Sequence, residues 1–525
     1  MKKRFAFLIG LAIVGSGLFI SCTKDLDQLP TNDATADQVY ATPEGYLQAF
    51  VKLYGSFALT GNSGAGSGDI QGIDPGTSDF FRLYWKAQEL STDEAVITWG
   101  DAGIQDFHNM NWSSGNPFLE GLYYRAMYQI TLVNDFIRQS SDDNLSRRGI
   151  SGADADAIRS YVAEARFLRA YQYSVLMDLY GNPPFVTDAD PIGMIPPQIQ
   201  RKDLFDYIES ELKAIEPQLA APRTNEYGRA DQAAAWALLA RNYLNAEVFT
   251  GTARYTDAIT YSKKVIDAGY SLIDDYRWLM LADNNKNTDE FILTINYDGL
   301  KTQNYGGTTF INHAAIGGGM VAANYGAGGG WAGSRATRSL PQLFPDYTGD
   351  IDQRAQFFTE GQSIDINNVT VFTDGVGVTK YRNLTREGAN GQSLDFSDID
   401  MPIFRLPEMY LTYAEAVLRG GTGGDKATAI SYINKIRERA YGNASGNVTD
   451  IDLDFILDER ARELYWEGFR RTDLIRYDRF SSGSYLWQWK GGVKSGTGIA
   501  SFHNLYPIPV KDLSANPNLV QNPGY

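Results

Sequence analysis

The sequence predicts a mainly α-helical protein with a loop-rich half. Several segments place apolar side chains three and four residues apart, which is the spacing of one face of a helix. The stretch 284–400 instead has short β-prone runs between glycine-rich loops, and 60–120 has similar loop character. We therefore expect a helical scaffold, mainly 155–280 and 402–478, from which the two loop-rich parts emerge.

The helical segments can be placed one by one. In 164–180, Ala165, Leu168 and Tyr171 share a face, and Gly-Asn-Pro-Pro at 181–184 ends the helix. Small and aromatic residues at contact positions group the helices into hairpins similar to tetratricopeptide repeats, without their strict period. Further helices are predicted at 203–215, 230–249, 255–268, 408–419, 426–439 and 451–476.

Composition excludes several classes of function. The 525 residues include 47 Lys and Arg against 63 Asp and Glu, a net charge of −16, which repels a phosphate backbone and argues against nucleic-acid binding. One cysteine and three histidines cannot form a Cys/His zinc site or a disulfide framework. The 32 Tyr, 26 Phe and 9 Trp, beside 52 Gly, instead suit aromatic stacking surfaces on open loops.

The N-terminus has the pattern of a lipoprotein signal peptide. Three basic residues precede an apolar run at 5–20, which is too short to span a membrane, and the run ends at Ser21 and Cys22. We expect 1–21 to be removed and Cys22 to carry the lipid. Residues 22–525 would then form a single domain. We expect this domain to be tethered to a membrane surface, because the several acyl chains of a bacterial lipoprotein anchor it stably.

Five short motifs follow one another along the chain. They are EARFLRA at 164–170, GRA at 228–230, RLPE at 405–408, ERAREL at 459–464 and QNPGY at 521–525. Together with Cys22 this set resembles the SusD/RagB family of outer-membrane lipoproteins. The resemblance implies a SusD-like fold with four tetratricopeptide-like helix pairs and an irregular, loop-rich ligand-binding half with short strands. It also implies a place on the cell surface, in the outer membrane, beside a SusC-type TonB-dependent transporter.

Within that family the chain is similar to the starch-binding branch. The resemblance implies that an arc of three aromatic side chains, Trp99, Tyr305 and Trp331, grips the glycan. Asp74 and Arg82 would be the hydrogen-bonding partners of the sugar. These residue types suit the ligand, because a pyranose ring has apolar C–H faces for rings and a rim of hydroxyls for charged groups.

One position departs from the starch-binding pattern. Ala102 stands where starch binders have an asparagine, so that contact is either lost or supplied by Asp101 or Gln105. For this reason another glucan, α-1,6-linked or of mixed linkage, stays open as the ligand beside starch and maltooligosaccharide.

Oxygen-rich residues on two loops could hold a hard cation. Asp398 and Asp400 lie in one loop and Asn285 in another, and the resemblance implies a structural Ca²⁺ at the matching places. Asn285 supplies less charge than an aspartate would. A short D-x-D is also common as a turn or helix cap, so both interpretations stay open.

Three functions compete on this sequence. The first is non-catalytic binding of α-glucan and its delivery to the transporter. A surface glycoside hydrolase would need two carboxylates about 5 to 10 Å apart, and no recognisable acid/base motif is present. A tetratricopeptide-like protein-interaction scaffold would use the helix pairs alone and leave the three rings buried or scattered.

Overall fold

The computed structural model describes residues 35–525, and the predicted signal peptide 1–21 and Cys22 lie outside this range. Helix accounts for 46% and strand for 6%, which confirms the mainly α-helical prediction. The α-helices are α1 Ala36–Val39, α2 Pro43–Ala58, α3 Phe80–Glu89, α4 Asp106–Asn109, α5 Pro117–Gln139, α6 Asp142–Arg147, α7 Gly152–Leu179, α8 Arg201–Ile215, α9 Gln232–Leu244, α10 Ala246–Thr250, α11 Tyr255–Ile266, α12 Gly307–Ala314, α13 Leu406–Leu418, α14 Lys426–Tyr441, α15 Leu453–Leu464, α16 Arg470–Arg476 and α17 Val510–Ala515.

Successive helices pack side by side in the scaffold: α5 against α7, α7 against α8, α9 against α11, α11 against α13, and α13 against α14. One hydrophobic cluster of buried side chains runs through them from Tyr40 to Leu519. Helices α2 and α5, which lie outside the predicted scaffold ranges, also pack against α7. The scaffold is therefore larger than the predicted ranges.

The local sequence explains where α2 and α5 begin. Thr42 caps α2 by accepting a hydrogen bond from the backbone N–H of Gly45, and Pro43 follows at the first helical position. Asn116 caps α5 in the same way and is followed by Pro117. These caps satisfy backbone N–H groups that have no partner within the helix.

Two predicted helices are interrupted in the structure. The prediction of one helix over 451–476 is wrong, since α15 ends at Leu464 and α16 begins at Arg470. Between them the backbone turns left-handed at Trp466 (φ 63°) and Gly468 (φ 87°), a region that breaks helical geometry. The predicted helix 230–249 is likewise divided between α9 and α10.

The strands form antiparallel pairs between distant parts of the chain. They are β1 Ala95–Ile97, β2 Phe291–Ile295, β3 Ser334–Ala336, β4 Phe357–Phe358, β5 Gly377–Val378 and β6 Met401–Arg405. β1 pairs with β3, β2 with β6, and β4 with β5. In the first pair Ala95 lies opposite Ala336 and Ile97 opposite Ser334, which joins the two predicted loop-rich parts.

Residues 35–525 contain no helix with the length and apolar character needed to cross a bilayer.

Candidate functional site

The β1–β3 pair brings two tryptophans to one place. Trp99 follows β1 and Trp331 precedes β3, and the ladder continues beyond the strands as the backbone N–H of Thr98 donates to the Gly333 carbonyl at 3.0 Å. The indole Nε1 of Trp99 donates to the carbonyl oxygen of Trp331 at 3.1 Å. A Cβ on Gly333 would lie 2.7 Å from the Trp99 ring, so only glycine allows this close approach.

The three predicted arc residues form a continuous series of rings. The ring centroids of Trp99 and Trp331 are 6.4 Å apart, and those of Trp331 and Tyr305 are also 6.4 Å apart. Tyr305 is 43% exposed, and both tryptophans are half-buried. The structure therefore brings the three predicted rings together and leaves each of them partly exposed.

Helix α12 supports the tryptophans from below. Its Phe310 meets Trp99 edge-to-face at a centroid distance of 5.9 Å, and His313 stacks on Trp331 at 4.9 Å with an interplanar angle of 24°. The backbone N–H of Trp331 donates to the His313 carbonyl at 2.8 Å. Burial lowers the pKa of His313, which favours an uncharged ring beneath the tryptophan.

Arg82, predicted to bind the sugar, is anchored to the surrounding loop through one of its nitrogens, and its contact with a sugar stays a prediction. Its side chain is only 7% exposed, and its Nη1 donates to the carbonyl oxygens of Gly76 at 2.5 Å and Tyr305 at 2.7 Å. The guanidinium lies 5.6 Å from the centroid of the Trp99 ring. Burial lowers the pKa of Arg82 to about 10, so the group stays charged at neutral pH. Arg82 therefore holds the loop that presents Tyr305.

The two predicted carboxylates are exposed at the edge of the arc. Asp74 caps the short turn Pro75–Thr77, its Oδ1 accepting a hydrogen bond from the Gly76 N–H at 2.7 Å. A Cβ on Gly76 would lie 3.0 Å from this Oδ1 and 4.0 Å from the Tyr305 ring, so Asp74 and Tyr305 flank the same position. Asp101 is exposed two residues after Trp99. Both carboxylates lie close enough to Arg82 to raise its pKa against the effect of burial.

Of the two candidates to replace the contact absent at Ala102, Gln105 already has backbone partners. Its Nε2 donates to the Ile97 carbonyl at 3.1 Å and also to the carbonyl of Trp99. The amide thus fixes the turn that carries Trp99. Asp101 is the candidate whose side chain faces water.

Phe396 is a further ring at the arc that sequence reasoning missed. Its centroid lies 5.6 Å from that of Tyr305, with the rings tilted by 47°, and it is half-buried. A single phenylalanine in a polar loop belongs to no spacing pattern. Its proximity to Tyr305 is therefore revealed only by the folded chain.

The predicted calcium ligands Asp398 and Asp400 are buried and hydrogen-bonded. Asp398 Oδ1 accepts from the Gly299 N–H at 2.7 Å, and Asp400 Oδ1 accepts from the Tyr297 N–H at 2.8 Å. The second oxygen of Asp400 accepts from the Tyr227 hydroxyl at 2.9 Å. Burial raises the pKa of Asp400 to about 7.

Asn285 does not share that environment. It is exposed on the turn Asn284–Lys286, and the neighbouring Asn284 is the residue that bonds the backbone of Asp400, at 2.8 and 2.9 Å. Within residues 35–525 no group of three or more His, Cys, Asp or Glu side chains is arranged to hold a metal. The predicted ligands offer oxygen atoms, which Ca²⁺ prefers, but they are fewer than the roughly six to eight that Ca²⁺ usually binds. The calcium site therefore stays a prediction.

Comparison with known proteins identifies the family. Residues 345–525 match the SusD family model. The whole chain is 36% identical to the starch-binding protein SusD of Bacteroides thetaiotaomicron over 573 aligned positions, which cover 100% of this chain and 99% of that protein. The chain belongs to the SusD family. The SusD-like protein P2 of Formosa agariphila is 27% identical, over 81% of this chain and 85% of its own.

Solved structures show the same SusD fold. The surface glycan-binding protein A from Bacteroides fluxus covers 92% of this chain and 100% of its own with a TM-score of 0.70 at 22% identity. A SusD superfamily protein from Parabacteroides distasonis covers 94% and 100% with a TM-score of 0.71 at 21% identity. The predicted SusD/RagB resemblance is therefore confirmed, and the SusD fold carries the arc on its loop-rich half.

Proposed function

We propose that this SusD-family protein binds α-glucan, either starch or maltooligosaccharide, along the arc of Trp99, Trp331 and Tyr305. The observation that carries the proposal is the ring series itself, with centroids 6.4 Å apart and Tyr305 exposed. The similarity over the full chain to a protein named for starch binding supports the α-glucan class.

The arrangement suits an oligosaccharide physically. Each ring can remove one apolar sugar face from water, and the successive tilts of 43° and 56° let a curved chain follow the rings. The exposed carboxylates of Asp74 and Asp101 can accept hydrogen bonds from sugar hydroxyls, and charged acceptors form stronger bonds than neutral ones. Curvature would select α-glucan among glucose polymers.

The alternatives fit the geometry less well. A protein-interaction scaffold would leave the rings buried or scattered, whereas Tyr305 is exposed and in series with both tryptophans. We propose that binding is non-catalytic, because the centre of the site is built from rings and from Arg82, whose Nη1 is held by backbone carbonyls, rather than from a facing carboxylate pair. An α-1,6-linked or mixed-linkage glucan remains the second candidate ligand, since Ala102 is exposed and provides no polar contact.

The remaining proposals concern location and partners. We propose that Cys22 is acylated, that the protein is held at the cell surface in the outer membrane, and that it delivers glycan to a SusC-type TonB-dependent transporter. The family and the sequence around Cys22 support this. We also propose one structural Ca²⁺ near Asp398 and Asp400, tested by comparing the thermal melt in calcium and in a chelator.

The test is a calorimetric titration of the purified mature chain with maltoheptaose, dextran and laminarin. We expect maltoheptaose to bind with a Kd of about 10⁻³ to 10⁻⁵ M, because ordering a flexible oligosaccharide offsets much of the stacking energy. Binding of dextran alone would favour the second candidate. Binding of laminarin alone, or release of reducing ends from soluble starch, would contradict the proposal.

A further inference from the structure

We propose that Phe396 forms a fourth sugar-stacking position beyond Tyr305, so that the site holds a longer α-glucan than three rings would. The inference rests on the proposed function of the arc. It follows from the order of the rings, since Phe396 contacts Tyr305 at the end of the series.

Phe396 continues the spacing of the arc. Along the series the centroids of neighbouring rings are separated by 6.4, 6.4 and then 5.6 Å, and each ring is tilted against the one before by 43°, 56° and 47°. The neighbouring pairs in the order Trp99, Trp331, Tyr305 and Phe396 therefore have similar spacings and tilts. Because Phe396 is only half-buried, part of its surface is open to a ligand beyond Tyr305.

The loop carrying Phe396 is held in place by polar contacts. The backbone N–H of Ser397 donates to Oγ1 of Thr309 in α12 at 2.9 Å, and the N–H of Phe396 itself donates to Oγ of Ser393 at 3.2 Å. The carbonyl of Leu394 accepts from the Gly328 N–H at 2.9 Å, which ties the loop to the glycine-rich segment before Trp331. A ring fixed in this way loses little entropy when a sugar binds.

Polar chemistry accompanies the ring. The exposed Asp395 precedes Phe396 and lies close enough to His313, beneath Trp331, to influence its pKa upward against the effect of burial. Asp395 thus supplies an exposed carboxylate in the same loop as Phe396. This is the chemistry that recognises one more glucose unit.

The proposal predicts a dependence on ligand length. A short oligosaccharide that stacks on Trp99, Trp331 and Tyr305 does not contact Phe396, whereas a longer one reaches it. If Phe396 served only to pack against Tyr305, its loss would disturb Tyr305 and weaken short and long ligands equally.

The experiment titrates the wild type, Phe396→Ala and Phe396→Tyr with maltotriose and maltoheptaose. We expect Phe396→Ala to weaken maltoheptaose binding about tenfold and to change maltotriose binding less than about twofold. Phe396→Tyr should keep the wild-type preference for the longer ligand. Phe502→Ala is the matched control, since Phe502 is a half-buried ring that stacks on His503 instead. A thermal melt of each variant verifies folding.

The outcomes distinguish a failure of the fourth stacking position from a failure of the proposed α-glucan binding. Equal loss for both ligands, or no loss for either, would overturn the fourth position while leaving the arc intact. If the wild type bound neither ligand, the proposed α-glucan function would fail and the fourth position with it.

Discussion

The buried arginines Arg405 and Arg439 of the helical scaffold have different partners from Arg82 and Arg335, which lie in the loops at the arc. In the scaffold Arg405 and Arg439 both donate to Oε1 of Glu463 at 2.5 Å, and all three side chains are buried. Burial alone would raise the pKa of Glu463, but the two arginines hold this pKa below its ordinary value. These charges are neutralised within the fold, and they join α14 and α15 to each other and to the end of β6.

Around the arc two buried guanidiniums donate to backbone carbonyls instead, whereas Arg354, elsewhere in the loop-rich half, pairs with Asp352 and Glu459. Arg82 bonds the carbonyls of Gly76 and Tyr305, and Arg335 of β3 bonds those of Val369 and Asp374. Burial lowers the pKa of Arg335 to about 9. The comparison indicates that Arg405 and Arg439 order the scaffold through buried ion pairs, whereas Arg82 and Arg335 order the loops of the arc by binding their backbone.

The largest effect should follow from breaking the scaffold network. Glu463→Gln removes one carboxylate of the buried network around Arg405 and Arg439, which keep Glu290 as a partner, and the loss of one partner from a buried ion pair costs about 3 to 5 kcal/mol of unfolding free energy. Urea denaturation would measure it, with Asp142→Asn as the control, because the ion pair of Asp142 with Arg159 is exposed to water and contributes little. A loss as small as that of the control would refute the distinction.

A smaller effect, confined to the ligand, should follow from Arg82→Lys. A single ammonium cannot reproduce the guanidinium geometry that holds Gly76 and Tyr305, so we expect maltoheptaose binding to weaken by about 1 to 2 kcal/mol. Arg138→Lys is the matched control, because Arg138 also holds loop carbonyls, those of Thr187 and Asp188, away from the arc. The two variants should melt alike and differ in titration; equal affinities would count against the role of Arg82.

A further effect concerns pH. Burial raises the pKa of Glu89 from 4.5 to about 7, and burial together with Glu89 raises the pKa of the neighbouring Glu94. The folded state therefore holds more protons than the unfolded state between these values, so this group's stabilisation is complete at low pH and is lost as pH rises from about 4.5 to 7. Glu89→Gln should flatten the fall in melting temperature over that window. An unchanged slope would contradict the raised pKa.

Sequence reasoning succeeded where the signal was local. Apolar periodicity located α7 and the helices around it, and the ordered motifs identified the family. The same local rules would have found α2 and α5, whose Thr42-Pro43 and Asn116-Pro117 starts are cap signals. Gly468 likewise marks the break between α15 and α16.

The site was only partly accessible from the sequence. The resemblance named Trp99, Tyr305 and Trp331, and these rings do come together. The partners of Arg82 and the position of Phe396 could not be predicted, because they depend on contacts between residues far apart in the chain, such as Arg82 Nη1 with the Tyr305 carbonyl across 223 positions. Long-range contacts of this kind leave no local pattern.

The most direct test of the arc compares two tryptophans that share the same partial burial. Trp331 lies in the arc, whereas Trp236 lies on α9, where its Nε1 donates to Glu216 at 2.8 Å. Titration of Trp331→Ala and Trp236→Ala with maltoheptaose should show a loss of about 1 to 3 kcal/mol for the first and wild-type affinity for the second. Wild-type affinity in Trp331→Ala, with its fold intact, would contradict the account.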